Sequence, residues 1–524
     1  MSQFINARET IVTDSIDGLL ATSGGALTRL DGYPQIKVVV RANWGRHKVA
    51  LVSGGGSGHE PSHAGMVGMG MLTAAVCGEV FTSPTVDAAL AGILAVTGPA
   101  GCLLIVKNYT GDRLNFGLAA QRARALGLKV SMVVVDDDIA LPKLHQPRGL
   151  AGTLFVHKIA GALAEQGADL TSVTKAAERV IRGVASIGMS LDTCTVPGST
   201  KEDRIPAGKA ELGLGIHGEP GVTQVDFTDA KQAVEMIIER LAPHMAKGPH
   251  AVLVNNLGGV TPLEMSILTN ELLKTRIADQ LSIIIGPASL MTSMDMQGFS
   301  VSVLPLSPGD TEALKVPVGP SAWPKAVATA APRLAPMPKG LTPARAEPSV
   351  HPERRTSLLG CCETLIAAEA DLNALDAKSG DGDTGSTLAG AARALAGAID
   401  RLPLANLPEL YRAIGIELSQ TMGGSSGALL AIFFAAAGEG PEDDTPGTLT
   451  LGLERIKQVG GAAQGDRTMI DALAPALAAL PLGVNEAAIA ARAGADATAS
   501  IIRAKAGRAA YVPEANLKGN NDPG

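Results

Sequence analysis

A chain of 524 residues, 46% hydrophobic and only 3% aromatic, is long enough for three or four domains of tightly packed Ala, Gly, Val and Leu. Its net charge of −7 and pI near 5.8 argue against nucleic acid as a partner, so any phosphate is to be met locally, by loops, a metal or single cationic residues. The five cysteines, Cys77, Cys102, Cys194, Cys361 and Cys362, show no C-x-x-C spacing and read as reduced intracellular thiols.

The opening Met1-Ser-Gln-Phe-Ile-Asn6 lacks the basic and apolar regions of a secretion signal. The most apolar run, 428–437, falls short of the ~20 residues of a membrane span, so a soluble cytoplasmic protein is expected. Residues 1 to about 45 carry helix-like and turn segments without assignable chemistry. Residues 48–53 read as a buried strand running into Gly54-Gly-Gly-Ser-Gly-His-Glu-Pro61, with His59 and His63 on the same loop. A glycine-rich turn at the carboxyl end of a strand is where open α/β sheets bind ligands; the early Pro61 excludes the dinucleotide pattern. A second strand, 102–107, ends in Asn108-Tyr-Thr-Gly-Asp112, followed by a helix over 114–126. A third, 129–135, ends in Asp136-Asp-Asp138, read as a solvated turn. Alternating strands and helices predict a parallel or mostly parallel sheet whose rim carries His59, Lys107 and Asp112.

Helices over 153–166 and 170–181 lead to a Gly- and Pro-rich region containing Leu214-Gly-Ile-His-Gly-Glu219. Here His217 stands between Gly215 and Gly218, which leave room beside its ring. A second α/β alternation follows, with helices over 230–241 and 262–275 and strands at 251–255, 282–286 and 300–304, placing His217 near the interface of two lobes. The character then changes: prolines from Pro317 to Pro352, Pro343 among them, punctuate an Ala-rich stretch that reads as a linker. Beyond it the strand signal vanishes, and helices are expected over 354–372, 386–399, 407–422, 428–437, 448–460, 469–480 and 485–502. The expected domains are thus a first α/β lobe (1–185), a second carrying His217 (186–316), the linker (317–352) and a helical domain (353–524).

The loops of the helical part hold three motifs. Asp376-Ala-Lys-Ser-Gly-Asp381-Gly-Asp383-Thr-Gly-Ser-Thr387 gathers three carboxylates at a tight turn; oxygen-only ligands favour Mg²⁺ or Ca²⁺, and the start of the next helix suits a phosphate. Thr421-Met-Gly-Gly-Ser-Ser-Gly427 is a further phosphate cradle, and Gly465-Asp-Arg-Thr-Met-Ile-Asp471 offers Arg467 and Thr468 to phosphate and Met469 to a flat base. Together they describe a nucleotide site at one end of a helical bundle.

Across nearly its whole length the chain resembles the single-chain, ATP-dependent dihydroxyacetone kinases. The resemblance rests on Gly54-Gly-Gly-Ser-Gly-His-Glu-Pro61, Lys107-Asn-Tyr-Thr-Gly-Asp112, Gly215-Ile-His-Gly-Glu219, Gly380-Asp-Gly-Asp383, and the terminal Gly507-Arg-Ala and Asp522-Pro-Gly524, all in the family's order. It implies a two-lobed α/β substrate portion followed by an all-α helical barrel that holds ATP, in a homodimer with sites shared between chains. It further implies that His217 captures the ketone as a hemiaminal, that Asp112 takes the proton of the attacking hydroxyl, and that His59 hydrogen-bonds the substrate. Gly56, Ser83 and Lys107 would hold substrate oxygens; Asp376, Asp381 and Asp383 would hold Mg²⁺, two ions with ATP. Thr384, Gly385, Ser386, Thr387, Ser425, Ser426, Gly460, Met469, Arg508, Asp522, Pro523 and Gly524 match nucleotide contacts. The stretch 510–521 is looser than the family's usual turn. The implied reaction is phosphorylation of dihydroxyacetone, with D-glyceraldehyde as a second substrate. Alternatives are a kinase of a four-carbon ketose such as erythrulose and, from another class, a sugar-sensing regulatory protein.

Overall fold

A computed structural model describes residues 3–140, 146–341 and 344–524; Met1, Ser2 and Pro343, used above, lie outside them. The chain divides into two compact units, Met1–Arg333 and Leu334–Gly524.

The first unit is built on two sheets. One comprises β1 (Leu27–Arg29), β2 (Val38–Arg41), β3 (Ala50–Ser57), β4 (Ala74–Val80), β5 (Cys102–Lys107) and β6 (Val130–Val135), in the order β1-β2-β4-β3-β5-β6. Strands β4, β3, β5 and β6 are mutually parallel, and β1 and β2 add an antiparallel edge. Every residue of β3 and β5 is buried, which is why both read as continuous apolar or glycine runs rather than as alternating strands. Helices Val86–Val96 and Thr110–Ala125 cover one face through Ile93, Phe116 and Ala119. Against the other face lies helix Thr153–Glu165, buried nearly all round because its far side meets the second sheet through Leu253, Ile283 and Ile285. One core thus joins the two lobes.

The second sheet comprises β7 (Ala185–Ser190), β8 (Lys209–Leu212), β9 (Thr223–Asp226), β10 (His250–Asn256), β11 (Leu281–Ala288), β12 (Gly298–Pro305) and β13 (Val327–Ala328), in the order β13-β11-β10-β12-β7-β8-β9. Only β10 and β11 pair in parallel. The sequence sets no strand direction for this lobe, and its sheet is mostly antiparallel, unlike the first. No helix separates β11 from β12 or β8 from β9, and without a crossover helix the chain returns antiparallel. His217 sits in the loop that closes the β8–β9 pair.

The proline-rich stretch is not free from its start. Gly319 N–H donates to the Met69 carbonyl at 2.8 Å, Trp323 and Ala326 are buried, and β13 pairs with β11. Proline limits hydrogen bonding but not packing, and an edge strand tolerates it nearby. Beyond β13 the residues described up to Ala346 are mostly exposed.

The second unit is helical: Pro352–Ala367, Glu369–Asp376, Thr384–Ala398, Leu407–Thr421, Gly424–Ala437, Thr445–Gly460, Ile470–Ala479 and Val484–Ala497 are its main helices. The single helix expected over 354–372 is two, divided at Ala368. Leu395, Leu410, Ile414 and Leu418 form one core, and Phe433, Leu453, Ile456 and Ile470 a second. Side chains buried to this degree contribute about 1.5–3 kcal/mol each. No helix among the described residues is long and apolar enough to cross a membrane.

Candidate active site

In the first unit, β3 delivers the glycine run to the carboxyl edge of its sheet. A Cβ on Gly54 would stand 2.1 Å from the Val76 carbonyl oxygen and one on Gly56 2.6 Å from the Thr82 nitrogen, so neither position admits a side chain. Gly56 thereby lies against the Phe81–Thr82 turn, next to half-buried Ser83, whose Oγ accepts from Asn115 Nδ2 at 3.4 Å. Gly55 has φ +146°, and a Cβ there would meet Lys107 Nζ at 2.9 Å and Asp112 Oδ2 at 3.2 Å. The end of β5 and the first turn of helix Thr110–Ala125 thus bring a lysine and an aspartate together over Gly55.

Lys107 is fully buried and donates to His63 Nε2 at 2.8 Å. Burial lowers its pKa, opposed by the charges of Asp112 and Asp137. Asp112 is also buried, and its Oδ1 has no protein partner. A buried carboxylate oxygen without a donor is costly unless a ligand supplies one.

The two histidines of the glycine loop part company: His63 turns to Lys107, and His59 turns to the second lobe. His59 is fully buried, and its Nδ1 lies 2.8 Å from the Thr292 carbonyl oxygen. A carbonyl only accepts, so the proton is on Nδ1, leaving Nε2 an acceptor without a donor. Burial, then the charges of Lys107 and His217, hold its pKa well below 6.5, so the ring is neutral. The stretch Leu290–Met294 of the second lobe fixes this loop: Ser62 Oγ donates to the Leu290 carbonyl at 2.6 Å and Met294 N–H to the Gly58 carbonyl at 2.9 Å.

His217 completes the group. Its ring centroid lies 4.7 Å from that of His59, 5.4 Å from Phe81 and 4.4 Å from Tyr109, each edge to face. Its Nδ1 lies 3.2 Å from Glu219 Oε1, and its backbone N–H donates to Glu219 Oε2 at 2.9 Å. Burial pushes the Glu219 carboxyl up, but the hydrogen bonds and charge of His217 outweigh it and leave the pKa at about 2. An ionised carboxylate can only accept, so Nδ1 is protonated, and in the neutral form of the ring the lone pair is on Nε2. His217, His59 and the pair Lys107 and Asp112 are therefore assembled from three separate stretches of chain. Sequence reasoning missed Phe81, Tyr109 and Thr292 and gave Glu219 no role, although an acid two residues beyond a histidine is a usable signal.

The reading of Asp136–Asp138 as a solvated turn is corrected. Asp136 is exposed, but Asp137 and Asp138 are buried. Asp137 accepts from the Leu150 and Gly152 N–H groups at 2.7 and 2.9 Å, and burial pushes its pKa up to about 6. Asp138 pairs with Arg148 at 2.6 Å, and Arg148 also donates to the Gly213 carbonyl at 2.8 Å, tying the loop that carries His217 to β6. Buried backbone donors and a guanidinium compensate for these desolvated charges.

In the second unit, Asp376, Asp381 and Asp383 present carboxylate oxygens within 4.8 Å of one another. The turn is tight because Gly382 has φ +78° and a Cβ on Gly380 would stand 2.2 Å from Asp376 Oδ1. Asp376 is buried and its Oδ2 accepts from the N–H groups of Gly382, Asp383 and Thr384 at 3.1–3.3 Å. Asp381 is exposed and pairs with Arg508, which lowers its pKa, while partial burial and the Asp381 charge raise that of Asp383. Three hard oxygen donors, two of them open to solvent, fit Mg²⁺.

These carboxylates line one end of a cavity of about 700 Å³. Thr384 and Thr387 flank them, and Ser425 and Ser426, in the first turn of helix Gly424–Ala437, stand on the same wall. Such a helix start offers free N–H groups and hydroxyls to a phosphate. Met422, Leu429, Ile432, Ile456, Val459 and Met469 make up an apolar part of the lining. Gly460, Arg467, Thr468, Arg508, Asp522, Pro523 and Gly524 also line it. Burial pushes the Asp522 carboxyl up to about 6.

Two of the residues expected to contact the nucleotide, Gly385 and Ser386, are not among those lining this cavity. Gly385 packs against the preceding helix, where a Cβ would stand 2.1 Å from the Glu369 carbonyl oxygen, and Ser386 exchanges hydrogen bonds with Asn373. They occupy the face of helix Thr384–Ala398 that looks away from the cavity. Arg467, expected to meet phosphate, is 1% exposed, and its Nη1 lies 3.1 Å from each of the Thr498, Ile501 and Leu517 carbonyl oxygens. Its Nε and Nη2 have no protein partner.

A Dak1 domain model matches residues 17–322, and a DAK2 domain model matches residues 378–524. The chain is 48% identical to a dihydroxyacetone kinase of Citrobacter freundii, over 100% of this chain and 97% of the relative. It is 42% identical to a putative 3,4-dihydroxy-2-butanone kinase of Solanum lycopersicum, over 100% and 95%. The crystal structure of the C. freundii dihydroxyacetone kinase in complex with AMP-PNP and Mg²⁺ is similar with a TM-score of 0.71 at 46% identity, covering 100% of this chain and 97% of that one.

Proposed function

From the premise that this chain belongs to the dihydroxyacetone kinase family, we propose how its two sites transfer the γ-phosphoryl group of ATP to dihydroxyacetone. The observation that carries the reading is a buried carboxylate oxygen that lacks a donor, Asp112 Oδ1, in the same cluster as the edge-to-face pair His217 and His59. His217 Nε2 adds to the ketone carbon and holds the substrate as a hemiaminal. Glycerol, without a carbonyl, escapes this trap. Covalent capture fixes a very small ligand in attack geometry, where orientation is worth up to ~10⁵–10⁸ M in effective concentration. His59 Nε2 accepts a hydrogen bond from a substrate hydroxyl. Lys107, Gly56 and Ser83 hold its oxygens. Asp112 Oδ1 accepts the proton of the terminal hydroxyl as that oxygen attacks; the loose phosphoryl transition state asks reach of this base more than a raised pKa.

In the second unit, Asp376, Asp381 and Asp383 would hold Mg²⁺, two ions with ATP, which neutralises charge on the phosphates. Thr384, Thr387, Ser425 and Ser426 hold phosphate oxygens, and Gly460 and Met469 face the base. Arg508 is placed to exchange Asp381 for phosphate, and Asp522 to Gly524 close over the nucleotide. The working form is a cytoplasmic homodimer with sites shared between chains, and D-glyceraldehyde is a second substrate.

Intact mass after incubation with dihydroxyacetone and no ATP, on wild type and His217→Ala, tests capture alongside ATP turnover with Mg²⁺. An adduct lost in the variant supports it; turnover without any adduct refutes it. The name of the tomato relative, a four-carbon dihydroxyketone kinase, favours as second reading a kinase of a four-carbon ketose such as erythrulose. Competition between three- and four-carbon ketones for kcat/KM separates the two.

A further inference from the structure

The loop carrying His217 is built around a contact that the reaction as described does not use. Glu219 reaches back over two residues and grips His217 twice, at the backbone N–H through Oε2 (2.9 Å) and at ring Nδ1 through Oε1 (3.2 Å). The room for this grip comes from Gly215. A Cβ there would stand 2.1 Å from Glu219 Oε2 and 2.9 Å from Arg148 Nη1. Gly215 does not have a positive φ, so the absence of a side chain answers to this space and not to backbone conformation. The other charged groups of the region come in pairs, Arg148 with Asp138 at 2.6 Å and Lys107 with Asp112 over Gly55, so Glu219 is the carboxylate in contact with the ring.

We propose that Glu219 is the positioning residue of the capture step: it holds the proton of His217 on Nδ1, so that Nε2 meets the carbonyl with its lone pair, and it neutralises the ring as it becomes charged. This rests on the reading of His217 as the capturing nucleophile. In the step, the Nε2–carbon bond forms and the carbonyl π bond breaks. Its electron pair moves to oxygen, which takes up one proton from the buffered solvent, and the ring is left as an imidazolium with Nδ1–H against the Glu219 carboxylate, so the step takes up one proton overall. Release reverses each change. Without the carboxylate the Nε2–H tautomer, whose Nε2 has no lone pair to offer, competes, and a half-buried cation forms with no anion in contact with it. A glutamine is worse than a simple loss, because its amide NH₂ donates to Nδ1 and selects the unreactive tautomer.

The test compares wild type, Glu219→Gln and Gly215→Ala at fixed dihydroxyacetone without ATP, reading the adduct fraction by intact mass. Ring ¹⁵N spectra of histidine-labelled protein report the His217 tautomer, with His217→Ala to assign the signal. Gly215→Ala keeps Glu219 in the chain and displaces its flexible carboxylate, so it separates position from presence. Both variants are expected to melt as wild type and to lose at least about tenfold in adduct, as outer partners of working histidines usually do. The ring signal should change from Nδ1–H toward Nε2–H. Adduct fractions and ring signals equal to wild type in both variants would overturn the proposal. If the wild type forms no adduct, the capture reading itself falls, and the ring spectra still decide whether Glu219 sets the tautomer.

Discussion

Replacing Arg467 with alanine should release the C-terminal segment from the nucleotide cavity. The guanidinium is 1% exposed, and its Nη1 shares two N–H groups among three carbonyl oxygens, those of Thr498, Ile501 and Leu517, at 3.1 Å each. These belong to two stretches that are also joined by Gly519 N–H to the Ala499 carbonyl at 3.0 Å and Asp522 N–H to Thr498 Oγ1 at 2.8 Å. Hydrogen bonds to a charged group contribute ~1.5–3 kcal/mol each, so about two are worth ~3–6 kcal/mol of local docking. That is more than a short segment with a small core of Ala504, Ala509 and Leu517 can spare. Arg508 and Asp522 to Gly524 line the cavity and leave it with the segment. The KM for ATP should rise by up to about 10²- to 10⁴-fold, the equivalent of that docking energy, since each ~1.4 kcal/mol of lost binding is tenfold. Capture of the ketone by His217 should not change. Arg467→Lys, which keeps the charge but reaches fewer carbonyls, should fall between. Steady-state kinetics in ATP and ketone, with limited proteolysis of the C-terminus, read both effects. An alanine variant with an unchanged KM for ATP and a protease-resistant tail would refute the reasoning.

Three further outcomes are expected. Asp381→Asn should lower kcat by about 10² or more, as loss of one electrostatic element at a transferred group does, while ketone capture measured by intact mass persists; unchanged turnover would refute the metal-holding role of Asp381. Gly55→Ala puts a Cβ 2.9 Å from Lys107 Nζ and strains a residue at φ +146°, so adduct formation should be lost with the KM for ATP unchanged; retained adduct would place the ketone elsewhere. Lys158 is fully buried against the Ala313 carbonyl, and burial lowers its pKa from 10.5 to about 8. The unfolded chain therefore binds more protons between pH 8 and 10.5, and stability rises with pH across that window, by at most about 3 kcal/mol. Denaturation of Lys158→Met should lose this rise, and a pH profile equal to wild type would show that the amine is solvated.

Much of the architecture was legible in local pattern. β5 was read at its true ends because parallel strands covered on both faces are continuous apolar runs. The change from strand to helix signal beyond the proline-rich stretch likewise located the helical part, and the aspartate loop announced itself because tight glycine turns and three carboxylates are local features. Other matters were decided by tertiary structure. Helix Thr153–Glu165 is buried all round only because two sheets share it. The second sheet is mostly antiparallel because of which connections lack helices. Asp137 and Asp138 look like turn residues until buried donors and Arg148 surround them. Gly385 and Ser386 share a motif with Thr384 and Thr387 but point to the neighbouring helix, since a helix turns 100° per residue. The state of His59 was settled by Thr292, a residue 233 positions away. By itself the sequence determined which candidate groups the chain offers and which turns carry them; contact across the chain determined their burial and their partners, because those depend on neighbours that only folding supplies.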